Sequence, residues 1–100
     1  MKKYQVRLTD KAEEDVRDIF QWHEIKLTGL GYRFIFSLEA AFASIERVPL
    51  GFRKIHKNIR RVLLKRFPYG VFYVVEKEQL VVVAVIHHKR NPTLWKKRKN

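Results

Sequence analysis

Residues 80–86, LVVVAVI, are apolar at seven consecutive positions, and the chain then runs straight into His87, His88, Lys89 and Arg90. The run is too short for a stable helix and dominated by β-branched valine, so it reads as a strand. A strand with one covered face alternates apolar and polar side chains; this one does not, so both of its faces want covering. Two further segments precede it: IRRVLLKRF (59–67) and YGVFYVVE (69–76) have the same Val, Phe and Tyr bias. Pro68 and the short polar EKEQ (76–79) separate the three, which predicts an antiparallel meander with Pro68, lacking an amide donor, at a turn.

The first half of the chain has different periods. Tyr4, Val6 and Leu8 alternate with Gln5 and Arg7, as in a half-buried strand. TDKAEEDV (9–16) then opens a helix: Thr9 or Asp10 can cap the free amides, and Glu13, Glu14 and Asp15 suit the positive end of its dipole. Its apolar face is Ala12, Val16, Ile19, Phe20, His23 and Leu27, and Gly29 and Gly31 end it near Thr28. A second helix presents Phe34, Leu38, Ala41, Phe42, Ile45 and Val48 and stops at Pro49 and Gly51. So short a connection makes the pair an antiparallel hairpin.

The order β-α-α-β-β-β defines an α+β domain, its N-terminal strand and helical hairpin packed on one face of a twisted antiparallel sheet. The other face then has two candidate covers. One is a docking partner on an apolar patch rimmed by Arg and Lys; the other is the C-terminal tail, through Leu94 and Trp95.

A chain of 100 residues, 46% hydrophobic and 32% charged, is expected to be a single globular domain, residues 1–100, with a mobile basic tail at 93–100. There is no cysteine and no apolar run of membrane-spanning length, and MKKYQVRLTD (1–10) lacks the character of a secretory leader, so a cytoplasmic location is expected. The net charge of +12 is segregated: residues 1–50 carry eight basic and eight acidic side chains, residues 51–100 fourteen and two. That predicts one strongly positive face, suited to phosphate backbones or an acidic protein.

Alternation along 59–67 puts Arg61 and Lys65 on one sheet face and Arg60 and Arg66 on the other. His87 and His88, as neighbours on a strand, are expected to point to opposite faces and so not to share a metal ion. HEIK (23–26) lacks the second histidine of a zinc-protease helix, and Ser37 and Ser44 lie inside a helix without a nucleophile turn, so neither metal nor cofactor is expected and His23 reads as a packed or capping residue. What remains is a polar set at the end of the last strand: His87 or His88, Lys89, Arg90 and the tail aromatic Trp95. Such groups can move a proton, stabilise a phosphorane and stack on a base, as RNA cleavage requires, or form a binding edge.

Taken in order, LTDKAEEDVRDIFQWHE, GLGYRF, AFASIERVPLGFRKI, RRVLLKRFPYGVFYVVE and VVVAVIHHKRNPTLWKKR resemble the RelE/ParE superfamily of toxins from bacterial type II toxin–antitoxin modules. RRVLLKRFPYGVFY followed by VVVAVIHHKRNP resembles the ParE-like branch most. The resemblance implies an antitoxin that wraps the toxin, expected to contact Arg60, Arg61, Lys65, Arg66, Val82, Ala84 and Trp22. It also implies one of two targets, DNA gyrase or messenger RNA on the ribosome. Members that cut RNA place an arginine after the aromatic that opens the third strand; here Gly70 follows Tyr69. Arg90 matches a second arginine of such members, while Trp95 stands near their tail tyrosine without an ionisable proton. The resemblance therefore favours a non-enzymatic gyrase inhibitor whose target contacts are His87, Lys89, Arg90, Trp95, Lys96 and Lys97. The alternatives are a metal-independent endoribonuclease using His87, Lys89, Arg90 and Arg61, and a plain nucleic-acid-binding module.

Overall fold

The computed structural model describes residues 3–89 and 92–98. In chain order the elements are β1 (Gln5–Leu8), α1 (Asp10–Lys26), α2 (Leu30–Arg47), β2 (Lys54–His56), β3 (Ile59–Leu63), β4 (Tyr69–Glu76), β5 (Gln79–His87) and α3 (Thr93–Lys96). The α+β class and the helical hairpin match expectation. The sheet is larger than expected and mixed: five strands in the order β1-β5-β4-β3-β2, with β1 parallel to β5 and the other pairs antiparallel. A three-residue edge strand such as β2 has too short a pattern to read from sequence.

Thr9 caps α1, its hydroxyl accepting from the Ala12 amide at 3.1 Å. The hairpin closes tightly because the first turn of α2 carries Gly31, where an added Cβ would lie only 2.8 Å from the Phe20 side chain and carbonyl. Glu24 of α1 supplies the missing cap of α2, accepting from the Gly29 and Gly31 amides at 2.9 Å each. Leu27 and Val48, expected on the inner faces, are instead the C-terminal caps and are 59% and 51% exposed; each helix ends before those positions return to the sheet.

Between sheet and helices lies the larger core, with Phe34, Leu38, Ala41 and Ile45 of α2 against Val62, Val71, Tyr73, Leu80, Val82 and Val85. On the far side Ile59, Phe72, Val81, Val83 and Ala84 pack with Trp95. A bulge divides β5 between the two. Phe72 pairs with Ala84 but Tyr73 with Val82, so Val83 is an extra residue and both Val83 and Ala84 face away from the helices. The unbroken apolar run thus has a cause: two covered faces and one change of phase.

The second face is closed by the chain itself. The indole of Trp95, 7% exposed, stacks on Phe72 with ring centroids 4.9 Å apart and planes 21° apart. Of the two candidate covers the structure shows the tail, not an open patch: burying an indole against a phenyl ring outweighs the entropy of ordering one helical turn. Leu94, the other expected cover, remains 42% exposed.

Candidate functional site at the strand ends

The C-terminal end of β5, the start of β4 and the end of β3 meet at one end of the sheet, with Tyr69 paired to His87 and Leu63 to Gly70. Rings line this end. His23 of α1, 8% exposed, places Nε2 2.9 Å from the Tyr69 hydroxyl and packs among Phe34, Phe67 and Tyr69. Burial lowers its pKa below 6.5, and its Nδ1 is buried without a hydrogen-bond partner. Trp22, 55% exposed, meets His23 edge to face and carries the Lys26 ammonium 5.0 Å above its ring. On the other side Tyr69 meets His87 at 6.0 Å, and His87 stacks on His88 at 5.3 Å.

That last contact corrects an expectation. β5 ends at His87, so His88 no longer obeys strand alternation; its amide donates to the Pro68 carbonyl at 3.0 Å and its ring folds onto its neighbour's. The Lys89 amide donates to His87 Nδ1 at 3.1 Å. Among the described residues no group of three or more histidine or acidic side chains is placed to hold a metal ion.

The arginines fall as alternation dictates only as far as β3 extends. Arg61 lies on the far face with Ile59, and its stem crosses Gly70: a Cβ there would sit 3.2 Å from Arg61 Cδ and from Phe72 Cε1. Arg60 points to the helix side and is already engaged, donating to the Leu50 and Phe52 carbonyls at 3.1 and 2.7 Å. Nearby, buried Tyr73 donates to the Pro49 carbonyl at 2.7 Å; burial pushes its pKa up to about 12 against the opposing pull of Arg60. β3 stops at Leu63, so Lys65 and Arg66 lie on the following loop, where Arg66 has φ +70° and the Lys65 carbonyl accepts from Ser37.

Of the residues expected to meet an antitoxin, Trp22, Arg61, Lys65 and Arg66 reach the surface. Val82 and Ala84 do not, since both have zero exposure, one beneath the helices and the other on the tail-covered face. Among target residues, Lys89, Lys96 and Lys97 are exposed, His87 is half-buried and Trp95 is buried. Arg90 lies outside the described residues.

Two groups of consequence had no sequence signal. Asp15 reaches past the end of β1, which pairs with β5 only as far as Val82, and accepts from the Val85 amide at 3.0 Å. Arg98 grips both Asp15 oxygens at 2.9 and 3.2 Å and donates to the Val83 carbonyl at 3.0 Å. Acid and base together replace the missing strand at the free edge of β5. The other group is His56, whose ring lies 5.9 Å from that of Trp95.

This helical hairpin on a mixed sheet, with a polar strand end, is the architecture of a small toxin domain. Residues 6–92 match the ParE toxin of the type II toxin–antitoxin system parDE, and the chain belongs to that family. No curated protein matches it. Among solved structures it is similar to the chromosomal ParDE toxin–antitoxin system from P. aeruginosa, with 13% identity over 85% of this chain and 96% of that one and a TM-score of 0.74. It is also similar to the toxin–antitoxin complex RelBE2 from Mycobacterium tuberculosis, with 21% identity over 86% and 99% and a TM-score of 0.59. At such identities these likenesses concern the fold.

Proposed function

We propose that this ParE-type toxin arrests bacterial growth by binding DNA gyrase through its strand end and tail, and that a cognate antitoxin silences it in the cytoplasm. The observation that carries the reading is at Gly70. Where RNA-cutting members of the superfamily have an arginine, this strand has no side chain, and the space holds the aliphatic stem of Arg61. The tail aromatic supports the same reading, because Trp95 is stacked on Phe72 and has no proton to donate in acid–base chemistry. Trp95 then serves as an anchor, and the target contacts fall to His87, Lys89, Arg90, Lys96 and Lys97. Trp22, Arg61, Lys65 and Arg66 are the contacts left for the antitoxin.

A second reading, cutting of messenger RNA on the ribosome, is favoured by the position of Arg61, whose stem lies over Gly70 and whose charge would stand in for the absent arginine. Pulse expression in a bacterial host separates the two. A gyrase poison stops thymidine incorporation before methionine incorporation; the reverse order, with messages cut within codons, would overturn the gyrase reading. Arg90→Ala should lower growth inhibition at least ten-fold while antitoxin binding and thermal stability hold, and undiminished inhibition removes Arg90 from the site.

A further inference from the structure

The tail is fixed at two points. Trp95 is held between Phe72 and His56, and Arg98 is clasped by Asp15 with side chains only 16% and 12% exposed. Lys96 and Lys97 lie between these anchors and are exposed. Lys96 Nζ is 5.8 Å from the Trp95 ring on which His56 also borders, and Lys57 follows His56 in a turn with φ +51°. Lys96 and His56, from segments forty residues apart, therefore border one indole, and Lys57 lies close enough to His56 for its charge to act on that ring. Their mutual influence is visible in His56, whose pKa is lowered by partial burial and by the charges of Lys96 and Lys57. Among the described residues neither lysine has an ion-pair partner. No acidic residue occurs between Glu46 and Glu76, so the neighbouring Arg53 and Lys54 extend the positive ridge along the edge strand.

Gathering like charges costs free energy that an anion recovers. We propose that His56, Lys57 and Lys96 form a binding site for a phosphate of a nucleic-acid backbone, and that Asp15 and Arg98 are positioning residues that hold the tail half of this site against the strand half. A phosphodiester chain suits a ridge with cations spaced along an edge better than a single carboxylate does, because it offers one charge per nucleotide. The site deepens the proposed function, since a toxin bound at gyrase would meet DNA there, but it does not require gyrase.

The test uses the full chain and a labelled duplex DNA oligonucleotide, titrated over a salt series. Lys57→Ala with Lys96→Ala should weaken binding about ten-fold and flatten the dependence of log K on log salt by about 0.9 per lost contact. Lys3→Ala with Arg17→Ala, which removes the same charge elsewhere, should change affinity less than two-fold. Arg98→Gln should weaken binding as much as Lys96→Ala and add nothing in the Lys96→Ala background, whereas Arg98→Lys should fall between. Circular dichroism and tryptophan fluorescence establish that each variant is folded. An equal loss in the Lys3/Arg17 pair overturns the site, as does a loss confined to antitoxin binding, which would make the ligand an acidic protein. Further weakening by Arg98→Gln in the Lys96→Ala background overturns the positioning role. Failure of DNA binding with growth inhibition intact sinks this site and leaves the gyrase reading standing.

Discussion

At Gly70 the backbone of β4 leaves room for the stem of Arg61, and the neighbouring Phe72 ring, fully buried, cannot retreat. Gly70→Ala should therefore cost about 1 kcal/mol in urea unfolding, the overpacking of a tight site exceeding the gain in strand propensity. A stabilised variant would mean that Arg61 swings aside freely. His23 sets a second residue-scale expectation. Burial lowers its pKa from 6.5, so between its folded value and 6.5 the unfolded chain binds the proton more readily. Its contribution to stability is complete above 6.5 and declines as pH falls toward the folded value. His23→Gln, which keeps a polar group toward Tyr69, should shrink the loss of melting temperature between pH 7.5 and pH 5, and an unchanged loss would assign that loss elsewhere. His56 shifts in the same direction and persists in both proteins, so the difference isolates His23. From the sequence His23 was recognisable as a packed residue because it falls on the apolar stripe of α1. Its partner Tyr69, forty-six residues away, was not.

Among the elements, those with a long period or a strong cap were legible: the Thr9 start of α1, the apolar face of α2, and β4 and β5. What escaped depended on contacts distant in sequence. Nothing in Gln5–Leu8 says that β1 lies parallel to β5, and the phase change at Val83 is invisible in a run that is apolar throughout. Asp15 reads as an ordinary first-turn acid because its purpose depends on Arg98, eighty-three residues on. The tail has a related cause: KKRK at 96–99 reads as solvated, and the two residues that hold it, Trp95 with its indole and Arg98 with its ion pair, act through Phe72 and Asp15, which are distant in sequence. Since α3 has a single turn, that indole holds it in place. Trp95→Ala should lose about 3 kcal/mol or more in denaturant unfolding and expose Phe72 and Val81 to a hydrophobic dye. A loss below about 1 kcal/mol would show that the tail cover is dispensable and that the far face tolerates water.

Across the whole molecule, charge separates by layer more sharply than by half of the chain. Asp10–Arg47, the helical layer, holds eight acidic and five basic side chains; the rest of the sequence holds seventeen basic and two acidic. The molecule measures 40 × 31 × 22 Å, whereas screening in physiological salt acts over about 8 Å. A partner at that ionic strength meets one layer's field at a time, and an acidic partner is steered to the sheet side. Reversing Lys65 and Arg66 to Glu should therefore slow association with the antitoxin at least five-fold, with a smaller change in dissociation. Reversing two basic residues of the helical layer, Arg17 and Arg33, should do little. In dilute buffer, where screening acts over about 30 Å, the fields of the two layers overlap and both pairs should slow association alike. Rapid-mixing kinetics at two salt concentrations decides the matter: if the two pairs slow association equally in physiological salt, net charge guides the encounter and the layered arrangement plays no part.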